Sequence, residues 1–140
     1  MAIRYFYEEV DFKLPHQRKT SQWIADAIKK EEGSLGDVSY VFCNDSFLLE
    51  LNQKHLNHDT LTDIITFDLS DAHSDDISGE IYISLERVAE NAPKYGASFI
   101  QELHRVLIHG ILHLLGYSDK TEAEKALMRK KEEAYLSLRK

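Results

Sequence analysis

The chain has 140 residues, 43% of them hydrophobic, and a formal net charge of -7. That length fits one domain with one active site and a core that needs no disulfide. The acidic balance excludes a protein that coats nucleic acid by bulk electrostatics, because such binding requires lysine and arginine to neutralise phosphates.

Cys43 is the only cysteine, so no internal disulfide framework exists, and its Val-Phe-Cys setting reads as a small buried side chain in a reducing compartment. Arg4, Tyr5, Glu8, Glu9 and Asp11 stand where a leader peptide would be apolar. No apolar run approaches the ~20 residues that span a bilayer. The expectation is a cytoplasmic chain without membrane contact.

In chain order, the aromatic and β-branched residues of Met1 to Val10 predict a first strand. Pro15 precedes a helix with Trp23, Ile24, Ala27 and Ile28 on one face, stopped near Gly33. Asp37 to Cys43 predicts a second strand. Asn44, Asp45 and Ser46 offer capping oxygens to a short helix through Leu48, Leu49 and Leu51, which gives way to a polar His55 to Thr60 loop. Thr62 to Phe67 and Glu80 to Ser84 read as two more strands, with Ser70 to Ser78 as an exposed loop between them.

Leu85, Val88, Ala89 and Ala92 recur at helical spacing until Pro93 and Gly96. Ser98 with Gln101 is a capping box opening a helix that contains the apolar run Val106 to Leu115 and stops at Gly116. Thr121 with Glu124 repeats the signature for a last amphipathic helix through Ala126, Leu127, Ala134, Tyr135 and Leu138. Strands early and helices late predict one α+β domain over residues 1–140: a small mixed sheet of about four strands with helices mainly on one face.

The chemistry concentrates in the segment His109-Gly110-Ile111-Leu112-His113-Leu114-Leu115-Gly116-Tyr117-Ser118-Asp119. Two histidines four apart on a helix project from one face, so their ring nitrogens can meet one metal. Gly116 can take positive φ and turn the chain back, which brings Asp119 toward the same point as a third ligand. Three protein ligands leave a fourth position open, the arrangement of a catalytic zinc. Two core histidines and a surface aspartate are the plainer reading, but the apolar run would then bury two imidazoles without partners, at roughly 1–3 kcal/mol each.

The spacing matches the metzincin pattern His-Glu-x-x-His-x-x-Gly-x-x-His except at Gly110, where that pattern has its glutamate, and at Asp119, where it has a third histidine. That glutamate is the proteases' general base, so a glycine there argues against a peptidase.

The segment His109 to Tyr117, with Thr62-Asp63-Ile64-Ile65-Thr66-Phe67, Gly79-Glu80-Ile81-Tyr82-Ile83-Ser84 and the earlier Leu51-Asn52 in the same order, resembles the YbeY family of endoribonucleases and rRNA maturation factors. The resemblance covers nearly the whole chain. It implies a bacterial protein acting on ribosomal RNA, in maturation of the small-subunit 3′ end and in ribosome quality control. It also implies a zinc held at the positions of His109, His113 and Asp119. The family pattern would place an arginine where this chain has Leu56. Arg105, one turn before His109, is the substitute for a phosphate contact, or else a salt-bridge partner of Glu102. Asp63 is a candidate orienting partner for His109 or His113, or a loop cap. The Gly79 to Ser84 strand would border the site, either as an exposed edge receiving extended substrate or as an ordinary strand.

The expected reaction is zinc-assisted phosphodiester cleavage of single-stranded RNA, with water or the substrate's 2′-hydroxyl as nucleophile. A zincin-type peptidase and a non-catalytic ribosome-assembly factor are the alternatives. In an acidic chain the RNA contact has to be local. Its candidate is the C-terminal stretch Lys125, Arg129, Lys130, Lys131, Arg139 and Lys140, interrupted by Glu132 and Glu133. A solvated helix face is the plainer reading.

Overall fold

The computed structural model describes residues 2–56, 62–73 and 75–139. Strands β1 (Ala2–Tyr7), β2 (Ser34–Cys43), β3 (Ile64–Asp68) and β4 (Asp76–Ser84) form one sheet in the order β1-β2-β4-β3. β1 and β4 flank β2 in parallel, and β3 runs antiparallel to β4. Helix α1 (Gln17–Lys30) links β1 to β2, and α2 (Asp45–Leu56) follows β2. After β4 come α3 (Leu85–Asn91), a 3-10 turn (Ala92–Tyr95), α4 (Phe99–Leu114) and α5 (Glu122–Leu136). This is the expected α+β class with a mixed four-stranded sheet.

Period-two alternation puts Ile3, Tyr5 and Tyr7 beside Val38, Tyr40 and Phe42, and these beside Ile81 and Ile83, on one face. That face meets α1, through Trp23, Ile24, Ala27 and Ile28, and α4, through Leu103, Leu107, Ile108 and Ile111. Tyr40 is fully buried and donates its hydroxyl to the Leu107 carbonyl at 2.8 Å, so the polar end of a core aromatic is satisfied at the sheet–helix joint. Helix α2 lies on the opposite face, where Leu48 packs with Cys43 and Ile65. The Cys43 thiol is fully buried, and burial pushes its pKa up to about 12, which fits the structural role read from sequence.

Several boundaries shift. β1 ends at Tyr7 rather than Val10, because Glu9 adopts φ 58, outside strand geometry. β2 begins at Ser34 and β4 at Asp76, so the polar Asp76 to Ser78 stretch is strand rather than loop. Ser34 and Leu35 pair with Asp76 and Ile77, and the Ser78 hydroxyl accepts from the Asp37 N–H at 3.0 Å. α2 extends through His55 to Leu56; residues 57–60 of the expected loop and the Leu56 side chain lie outside the described residues. β4 sits between β2 and β3, so the free edge beside α4 belongs to β3 and not to Gly79–Ser84. Leu127 on α5 and Leu138 just beyond it are exposed, and the buried face of α5 is Met128, Glu132 and Tyr135.

Candidate metal centre

Helix α4 is anchored before any ligand is considered. Its capping box is complete, with the Ser98 hydroxyl accepting from the Gln101 N–H and the Gln101 side chain accepting from Ser98 N–H, and Leu103, Leu107, Ile108, Ile111 and Leu112 are fully buried. At Gly110 a Cβ would stand 2.9 Å from Ile81 Cγ2 and 3.1 Å from Ile64 Cδ1. The helix therefore lies closer to the sheet than any side chain at position 110 allows. The place where a metzincin carries its glutamate is closed by β3 and β4.

The helix ends in a Schellman turn. Gly116 at φ 105 lets Tyr117 N–H donate to the Leu112 carbonyl and Gly116 N–H to the His113 carbonyl, both at 3.0 Å. The reversal returns Asp119: its Oδ2 lies 3.5 Å from His109 Nε2 and 3.5 Å from His113 Nε2, and the two Nε2 atoms are 3.0 Å apart.

The partners of the other ring nitrogens decide what this cluster is. His109 Nδ1 faces Glu132 Oε2 at 2.5 Å and His113 Nδ1 faces the Tyr117 carbonyl at 3.0 Å. Both partners are acceptors, so both Nδ1 atoms carry the proton and both Nε2 atoms present lone pairs. With both imidazoles neutral, two lone pairs and a carboxylate oxygen converge, a mutually repulsive set that a cation converts into an attractive one. Tetrahedral zinc with bonds of about 2.0–2.1 Å would place ligand atoms about 3.3–3.4 Å apart; the observed 3.0, 3.5 and 3.5 Å bracket that value. His109, His113 and Asp119 could hold a metal.

Behind the triad lies a layer of charge that the sequence did not disclose. Glu132 is 3% exposed and divides its carboxylate between His109 and Arg105, whose Nη1 donates to Oε1 at 2.9 Å. Burial alone would raise the Glu132 pKa, but these donors hold it below the usual glutamate value. Arg105 completes its fork on Glu102, with Nε and Nη2 donating at 2.9 and 2.6 Å, and its guanidinium lies 5.2 Å from the Tyr95 ring centroid. It is thus tied to both glutamates and is 17% exposed rather than a surface partner of Glu102 alone. Asp63 does not orient either histidine. Burial raises its carboxyl pKa, opposed by Arg105 and His109 nearby, while the ring nitrogens it was expected to meet are taken by Glu132 and Tyr117.

Tyr117 is itself held: its hydroxyl donates to Glu31 at 2.5 Å, and Tyr135 and Lys131 donate to the same carboxylate. Glu132 was legible in principle, since Met128, Glu132 and Tyr135 share one helix face at spacings of four and three, and a glutamate on an apolar face asks for a partner. The backbone carbonyl of Tyr117 leaves no sequence signal at all.

A mixed sheet backing a helix with two histidines one turn apart, and a carboxylate returned by a glycine turn, defines a zincin-like α+β protein with a candidate metal site. The chain belongs to the YbeY endoribonuclease family: the family model described as Endoribonuclease YbeY matches residues 4–139. A Flavobacterium psychrophilum protein named Endoribonuclease YbeY is 49% identical over 133 residues, covering 95% of this chain and 94% of that one. One of the same name from Cytophaga hutchinsonii is 46% identical over 139 residues, covering 99% and 96%. The solution structure of a Thermotoga maritima protein superposes with a TM-score of 0.65 at 31% identity, covering 97% of this chain and 87% of that one. No helix of the described residues is long and apolar enough to cross a membrane.

Proposed function

We propose that this protein is a single metal-dependent hydrolase domain, cytoplasmic, that cuts single-stranded ribosomal RNA in maturation of the small-subunit 3′ end and in ribosome quality control. The observation that carries the reading is the convergence of His109 Nε2, His113 Nε2 and Asp119 Oδ2 with both Nδ1 protons committed elsewhere. Zinc is the cation proposed, because two imidazoles and a carboxylate suit it and leave one position open. Bound there, zinc would supply Lewis acidity toward a phosphoryl oxygen and lower the pKa of a water.

The chain's own groups set the geometry. Glu132 fixes the tautomer and ring plane of His109, and the Tyr117 carbonyl does the same for His113. Arg105 is proposed to act in the site through Glu132, keeping that carboxylate ionised and aimed at His109. The free edge of β3 beside α4 is the proposed place for an extended strand. Gly110, closed off by Ile81, leaves no room for the protease base, which favours RNA over peptide.

The test is an RNA-cleavage assay on a small-subunit rRNA 3′-end fragment, titrated with zinc and with chelator beside a casein-type substrate. RNA cleavage abolished by chelator and by His113→Ala is expected. Peptide cleavage lost in His113→Ala, with no RNA cleavage at any salt, would establish a peptidase instead. Ribosome maturation in cells restored by a metal-site variant would establish a non-catalytic assembly factor.

A further inference from the structure

We infer that the groove between α1 and the end of α5 is a second RNA-binding surface, a phosphate track separate from the metal centre; the inference rests on the RNA-cleaving function proposed above. The groove encloses about 790 Å³. Arg18, Lys19 and Lys30 from α1 and Arg139 from beyond α5 line it, against a single carboxylate, Asp26. In a chain whose formal charge is -7, this is a local reversal of sign.

On α1 the groove gathers cations that are not neutralised locally, as about half of those elsewhere among the described residues are. Arg4, Lys54, Arg87, Arg105, Lys125 and Lys131 each have a carboxylate partner. Arg18, Lys19 and Lys30 are exposed and make no ion pair among the described residues. Asp26 makes no ion pair with them among the described residues and accepts from Gln22 Nε2 at 2.9 Å. Like charges crowded into one concavity focus a positive potential. That field is met by an anion from outside, and a chain of phosphates meets several cations at once. Leu138, 48% exposed at the rim, offers an apolar surface to ribose or base.

Position connects the groove to the chemistry. Tyr135 lines the groove and donates to Glu31, which also accepts from Tyr117, whose carbonyl holds His113. One residue lining the groove is thus linked, through Glu31 and Tyr117, to His113. Of the C-terminal stretch expected from sequence, Lys125, Arg129, Lys130, Lys131, Arg139 and Lys140, Arg139 lines the groove, Lys125 and Lys131 are paired, Arg129 lies over Tyr95, Lys130 is exposed, and Lys140 lies outside the described residues. On α1, three exposed cations share one concavity.

The experiment measures binding of a fluorescent, 2′-O-methyl single-stranded RNA to the full zinc-loaded chain across a salt series. Three proteins are compared: the parent, Lys19→Ala/Lys30→Ala, and the charge-matched Lys125→Ala/Lys130→Ala. Each single-strand phosphate contact adds about 0.7 to the slope of log affinity against log salt. The groove variant is expected to lose about 1.4 of that slope and, near physiological salt, roughly tenfold in affinity. The α5 variant is expected to match the parent. Equal binding by the groove variant and the parent would overturn the inference, as would an equal loss in the α5 variant, which would reduce the effect to net charge. Chelator-sensitive cleavage by the parent in the same preparation separates the two failures: if it persists, only the groove is refuted, and if the parent neither binds nor cuts RNA, both fall.

Discussion

Glu132 Oε2 stands 2.5 Å from His109 Nδ1, and its other oxygen is held by Arg105. One buried carboxylate thus sets the orientation of a ligand on a different helix. Glu132→Ala is expected to weaken zinc binding by about 10- to 100-fold, the range typical for a lost partner behind a metal-bound histidine. Glu132→Gln keeps an acceptor and loses less. Chelator competition, with circular dichroism to check folding, measures both. Parental affinity in the alanine variant would show that Glu132 serves Arg105 alone.

Purified protein is expected to carry about one zinc per chain, with His109→Ala and His113→Ala each abolishing tight binding. Asp119→Ala is expected to weaken it and Asp119→His to preserve it, since the Schellman turn delivers either donor to the same place. Elemental analysis decides the first point and competition the second. Full zinc occupancy in the double histidine variant would refute the site.

At Gly110 two effects oppose. Alanine gains about 1 kcal/mol of helix propensity, but its Cβ meets Ile81 at 2.9 Å and overpacking costs about 1–3 kcal/mol. Gly110→Ala is therefore expected to lose up to about 2 kcal/mol. Gly110→Glu adds a buried carboxylate to the clash and should lose more, without producing a peptidase. Urea denaturation reads both, and a stable Gly110→Glu protein would mean that α4 can shift from the sheet.

His104 predicts the pH response. Its Nε2 is buried with no hydrogen-bond partner among the described residues, and burial, with a smaller contribution from Arg139, lowers its pKa to about 4. The unfolded chain binds the proton first, so stability is full above the ordinary histidine pKa of about 6.5 and declines as pH falls toward 4. Allowing for its partial exposure, the loss is of order 2 kcal/mol. Metal-free protein melted across that range checks it, and His104→Leu should flatten the profile. An unchanged profile in that variant would assign the acid response to other groups.

The helix carrying the two histidines was legible because its signals are local: histidines four apart, a capping box and a terminal glycine lie within one stretch of chain. Asp119 followed from the turn that Gly116 permits. The supporting layer was only partly legible: the spacing of Met128, Glu132 and Tyr135 marks an inward glutamate, but its meeting with His109 is a tertiary contact between α5 and α4, and Leu127, which hydrophobicity alone would bury, is exposed. The strand limits failed for a related reason. Asp76 and Ser78 have no β preference of their own and are strand because β2 offers them a ladder.

The burial of α4 has a consequence for how the ion is exchanged. Leu103, Leu107, Ile108, Ile111 and Leu112 secure the helix without help from His109 or His113, so the ligand pair stands ready before any cation arrives. The binding energy of the ion is not spent on ordering the chain, in contrast to a zinc finger, which is unfolded when apo. A chelator should strip the centre and leave the melting profile close to that of a folded protein. Re-addition should restore occupancy at the speed of ion entry rather than of refolding, so that under the proposed function the local supply of zinc, and not the survival of the fold, would set how much of the protein is active.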